Sequence, residues 1–246
     1  MSGSTPKPIP TLVDYKSAEE RLLRVRDEAA AGVKAAHERG DVDTGNEWIS
    51  KLQKEFDAFK AFREGLPREV RLSIHADRIL ESFSVDKDNF VNLVIPADVS
   101  DEDAMHALNG RFRDMFPERA RAAIYELDIE KILESGDGSG SRSHSPRILR
   151  VIGVVPGTTD MTRDQQAEVL QQKGLTFAHP IDQALAAAAY ECQCDGDRLI
   201  NLVVRGSVSR FALSARQGGG IRVDSYEDDG VNAYVAASGS SSPEVK

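Results

Sequence analysis

Apolar residues recur at three- and four-residue intervals in the first part of the chain. Tyr15, Ala18, Leu22, Val25, Ala29, Gly32 and Ala36 form one series. After the polar stretch RGDVDTGN comes a second: Ile49, Leu52, Phe56 and Phe59, with Phe62 and Leu66 close behind. This spacing is helical and fits a heptad seam, one apolar stripe on each helix. A short polar turn between two such stripes predicts an antiparallel helical hairpin over 11–66. Trp48 and Phe62 flank the second seam and widen the apolar face beyond what one neighbour covers, so the hairpin is expected to pack on the rest of the chain or on a partner. Leu22, Val25, Trp48, Leu52, Phe56 and Phe59 are therefore the candidate interaction seam.

Beyond the hairpin the period changes. VRLSIHA alternates Val70, Leu72 and Ile74 and reads as a strand, and NFVNLVIP reads as a second, ending at Pro96. Ser100 in front of a run of acids is a helix N-cap, and Gly110 is the expected end of that helix. Pro117 opens a further helical stretch, PERARAAIYELDIEKILES. RILRVIGVVP is a strand; Thr162 and Gln165 form a capping box for a helix that Gly174 closes. Pro180 opens another helix, whose face of Ile181, Ala184, Leu185, Ala188 and Ala189 is small enough for close packing on a sheet.

Strand register follows from which side chains share a face. A Gly206-Ser207 turn sets Ile200 opposite Leu213, Leu202 opposite Phe211 and Val204 opposite Ser209. A three-residue loop, Asp228-Asp229-Gly230, sets Val223 opposite Val235 and Ile221 opposite Ala237, with the glycine taking the positive φ. The expected fold is α+β: the N-terminal antiparallel helical hairpin, a mixed α/β region, and a C-terminal four-stranded antiparallel β-meander packed on helices. Gly/Ser/Pro-rich stretches mark the divisions. They predict a tail at 1–10, the hairpin at 11–66, an α/β region at 67–134, a linker or loop at 135–146, an α+β domain at 147–237 and a tail at 238–246.

Composition narrows function. With 246 residues and 40% hydrophobic content, the chain has material for an ordinary core. Forty acids against 31 bases give a formal charge of -9, which opposes non-specific attraction to nucleic acid or anionic lipid. Cys192 and Cys194, one residue apart, are too close to serve as a structural staple. Few cysteines, no secretory leader and no long apolar run lead to the expectation of a cytoplasmic protein without a membrane partner.

Candidate chemistry is sparse. The glycines at 218–220 precede a strand, whereas a phosphate cradle runs into a helix. Asp224, Asp228 and Asp229 cluster near a loop tip where a hard cation could bind, without EF-hand spacing. Cys192, Cys194 and His179 lack both knuckle spacing and a fourth ligand, and His75 and His106 have no identifiable nucleophile. In the predicted register the outward sheet face carries Arg210, Arg222, Tyr226 and Tyr234, a combination suited to protein interfaces and to base stacking. The expectation is a non-catalytic interaction or assembly protein, without cofactor or metal, that binds a protein partner or itself through the hairpin. Two alternatives compete with it: a metal-dependent enzyme using Asp224, Asp228 and Asp229, and a single-stranded nucleic-acid binder on the Tyr/Arg face, which the charge disfavours.

Overall fold

The computed structural model describes residues 10–118 and 146–195, together with 199, 203–205, 207, 211–215, 221–225, 235–237 and 239–240. It contains both helices and strands, and it divides into two compact units, Met1–Ile74 and His75–Lys246.

In the first unit, α1 (Leu12–Glu38) and α2 (Val42–Glu64) form the hairpin. Thr11 and Asp14 close a reciprocal capping box at the start of α1, satisfying amides that the first turn leaves without helical partners. The turn is shorter than its polar sequence suggests. Gly40 takes φ +68°, and Asp41 accepts from the Thr44 amide at 3.1 Å, so the helix restarts at Val42. At the open end of the hairpin, Tyr15, Leu66 and Ile74 are buried together, with Leu12, Phe59, Phe62 and Val70 packed around them. Tyr15 and Phe59 sit ring to ring at 5.5 Å.

Val70 and Ile74 belong to α3 (Arg68–Glu81), which corrects the expected strand at VRLSIHA. Val70, Leu72 and Ile74 satisfy the strand period, but Val70 and Ile74 are also one helical turn apart, and burial continues at His75, Ala76 and Ile79. So short an apolar run is ambiguous by period alone. The boundary between the units falls within this helix.

The second unit is built on a five-stranded antiparallel sheet in the order β1-β2-β3-β9-β4. Its strands are β1 (Ser84–Val85), β2 (Val91–Ile95), β3 (Arg147–Ile152), β4 (Thr176–Phe177) and β9 (Gly239–Ser240). On β2 the buried residues Val91, Leu93 and Ile95 alternate with half-buried Asn92 and Val94. The apolar side meets α4 (Asp101–Met115) and α6 (Pro180–Gln193) in one core containing Met105, Leu108, Ile181 and Leu185. Ser100 caps α4 as the acids there predict, but α4 runs through Gly110 because Phe112 beyond it is buried and Arg111 pairs with Asp77. The capping box at Thr162 opens α5 (Arg163–Gln172), and Gly174 follows its end at φ +68°. The stretch 238–246, expected as a tail, supplies β9: Gly239 is buried, and a Cβ there would press on Leu175 and Val155 at 3.1 Å.

The C-terminal meander is corrected. β5 (Val203–Arg205), β6 (Phe211–Ala215) and β7 (Ile221–Ser225) pair consecutively and antiparallel, but β8 (Val235–Ala237) joins the far edge of β5 in parallel, giving the order β7-β6-β5-β8. Val235 therefore lies opposite Val203, and the predicted β7–β8 hairpin does not form. Val204 pairs with Leu213, where the two-residue turn had set it opposite Ser209. The observed register differs from the predicted one by four positions, an even number that leaves the alternation of faces unchanged, so alternation alone could not choose between them. The predicted helix after Pro117 lies almost wholly outside the described residues.

Candidate functional site

The hairpin's two long edges differ. On α1 the predicted stripe turns inward: Tyr15, Val25, Ala29 and Ala36 are buried, and Leu22 is half-buried. On α2 the residues at inward heptad spacing are Gly45, Trp48, Leu52, Glu55 and Phe59. Gly32 of α1 makes room for the Trp48 indole, which a Cβ at that position would strike. Phe56, which the sequence puts in the seam, is 52% exposed, and Ile49 is 56% exposed.

One edge is closed by charge. Arg21 grips Glu55 with two contacts, at 2.6 and 2.9 Å, and Lys51 reaches Glu28 at 3.1 Å while its Nζ lies 4.6 Å from the Trp48 ring centre. The other edge is apolar. Val42, Ile49 and Phe56 recur at heptad spacing along α2 and are all exposed; half-buried Val33 and exposed Leu23 lie on the side of α1 that heptad geometry sets beside them. An exposed apolar strip at helical spacing on a capped, ion-paired hairpin is suited to receive another helix.

The helix caps at the hairpin ends lower two carboxyls. The backbone amide and hydroxyl of Thr11 hold the Asp14 carboxyl below its ordinary value; the Thr44 hydroxyl, followed by the Thr44 amide, does the same for Asp41.

Among the described residues of the second unit, several polar side chains tie elements together. Arg147 at the start of β3 meets Asp101 at 2.8 Å and Asp182 at 3.0 Å, tying the first turns of α4 and α6 to the sheet. For Asp86, burial pushes the carboxyl up, but hydrogen bonds from Arg150 and from the Phe90 and Asp88 amides outweigh it and leave the group lowered. Arg205, 1% exposed, donates to the Met161 carbonyl at 3.3 Å and to Gln166 at 3.2 Å; Gln166 in turn donates to the Thr158 carbonyl at 2.7 Å. This buried network anchors the segment before α5 to β5, and nothing in the sequence signals it beyond a basic residue closing an apolar run.

The residues considered for zinc have other uses. The His179 side chain caps α6 by accepting from the Ile181 amide at 3.3 Å, and burial pushes the Cys192 thiol up to about 12. Among the described residues no group of three or more His, Cys, Asp or Glu could hold a metal ion. His106 lies 3.8 Å from Glu102 one turn away, and His75 is buried on α3. Of the Tyr/Arg face only Arg222 is described, in β7 opposite Ser214; Arg210, Tyr226 and Tyr234 lie outside the described residues. Asp224 pairs with Ala212 two positions along, while Asp228 and Asp229 are also outside. No described helix is long and apolar enough to cross a membrane. Comparisons of the chain with family models, curated proteins and solved structures give no match.

Proposed function

We propose that this chain is a non-catalytic interaction or assembly protein that works through its N-terminal hairpin. The observation that carries the reading is the exposed strip Val42, Ile49 and Phe56 on α2, a helix of 23 residues in which no side chain is fully buried. A helix of that length gains most of its stability from packing, so an unfilled apolar edge on it is a place for another protein to bury. The opposite edge, closed by Arg21–Glu55 and Glu28–Lys51, gives the surface one preferred side.

The test is affinity capture from the source cells with the native chain and with Ile49→Asp/Phe56→Asp. The double variant changes exposed positions and should keep the native far-UV circular dichroism. The expected result is a bound protein held by the native chain and depleted about tenfold by the variant, the size of effect a lost apolar anchor produces. Equal capture by both, or a turnover that survives purification and disappears on one point substitution, would overturn the proposal.

A further inference from the structure

We infer that β8 and β9 act together as a releasable strap: it holds α5 and β4 onto the second unit, and its release frees those two elements as one lid while the main core stays closed. The inference concerns the second unit alone and is independent of what the hairpin binds.

The strap touches both attachments of the lid. In its first half, Ala237 pairs with Arg205 across the parallel β8–β5 ladder. The Arg205 side chain ties the stretch before α5 to β5, through the Met161 carbonyl and Gln166. In its second half, Gly239 lies between Ile152 of β3 and Phe177 of β4, and Ser240 lies between Val151 and Thr176. Among the described residues β4 pairs with no strand other than β9, so these two residues carry its pairing to the sheet. A single residue separates β8 from β9, and both attachments therefore depend on one short piece of chain.

The lid has an interior of its own. Val155 and Leu170 are buried with Ile152, Leu175 and Phe177 around them, apart from the larger core that β2, α4 and α6 share. Gly239 closes this small cluster: a Cβ on it would stand 3.1 Å from Leu175 and Val155 and 3.3 Å from Ile152. Opening the cluster leaves Leu93, Met105 and Leu185 covered by their own neighbours. The strap is also lightly held. Apart from Val235, residues 235–240 are alanine, serine and glycine, so backbone pairing carries the attachment, whereas β2 adds buried Val91, Leu93 and Ile95 to its pairing. Elements with few buried apolar contacts open at a lower free energy than the whole domain, which is what a releasable strap requires.

The experiment is hydrogen exchange read by mass spectrometry on the full native chain and on Gly239→Val, whose branched side chain has no room against Val155 and Leu175. The expected result is exchange about tenfold faster in the variant at 163–177 and 235–240, the effect of overpacking one site, with β2, α4 and α6 unchanged. Faster exchange throughout the second unit would put β9 in the global core and overturn the inference. Unchanged exchange at 163–177 would overturn it by showing that the lid holds without the strap. If the variant does not fold, the native chain in low urea decides: fragments 163–177 and 235–240 should become exchangeable together, at lower urea than β2, α4 and α6. One common transition for all of them rules out the lid, and separate transitions for the two fragments rule out the strap.

Discussion

Helices α2 and α6 make opposite use of their surfaces. From Pro180 to Cys192, α6 buries every residue except Asp182 and Tyr190; α2, 23 residues long against 14, buries none completely. The cause is the number of neighbours. α6 packs against α4 and against β2, β3 and β6, and its alanines let those elements approach closely. α2 has α1 along one side and the start of α3 at one end, so its integrity rests on the Asp41 cap, two ion pairs and a narrow stripe. Packing sustains both, but α6 is enclosed on several sides, whereas α2 has one packed seam with a cap at its start. An apolar side chain has a different setting in each: on α6 it fills a core, and at Val42, Ile49 and Phe56 of α2 it stays exposed.

Paired truncations press hardest on that contrast. Leu185→Ala should cost about 2–5 kcal/mol, read from the urea midpoint, because a fully buried leucine leaves a cavity. Ile49→Ala in the same assay should stay within about 0.5 kcal/mol when measured at a dilution where any association is absent. Comparable losses would mean that α2 is as deeply packed as α6. A middle-sized effect is expected from Thr162→Ala, which removes the capping box of α5 and should cost about 1 kcal/mol. An unchanged urea midpoint would show that burial of Leu170 and Gln166 holds α5 without its cap.

The smallest effect concerns pH. Asp14 and Asp41 have carboxyl values lowered below the ordinary 3.8 in the folded chain. Their stabilisation is therefore complete above 3.8 and disappears as the pH falls through the lowered folded values. Asp41→Asn keeps a capping oxygen and removes the titration. Thermal melts followed by circular dichroism should show less acid sensitivity in this variant than in the native chain; identical acid sensitivity would exclude Asp41 as a contributor.

Much of the helical framework was legible because its signals are local. Thr162 with Gln165, Ser100 before its acids, Pro180 at a first helical position and the α1 stripe each act within a few residues. α3 was misread because Val70, Leu72 and Ile74 satisfy two periods, and the deciding partners, Tyr15 and Leu66, come from elsewhere in the chain. On α2 the heptad alone left Ile49 and Phe56 inward. Trp48 settled the rotation by filling the space over Gly32, which turned those two residues outward and created the candidate face.

By itself, the sequence determined a helical hairpin, a mixed helix-and-strand chain, the starts of α4, α5 and α6, and a strand ending before Pro96. These follow from spacing, caps and turn residues, whose energetics are settled over one or two turns. Only the tertiary structure decided that β8 lies parallel to β5, that β9 enters the five-stranded sheet, and that Arg205 is buried among backbone carbonyls and Gln166. Pairing between distant strands depends on which edges remain open after the local elements have formed. An edge offers the same backbone donors and acceptors whichever strand approaches it, so the choice belongs to packing.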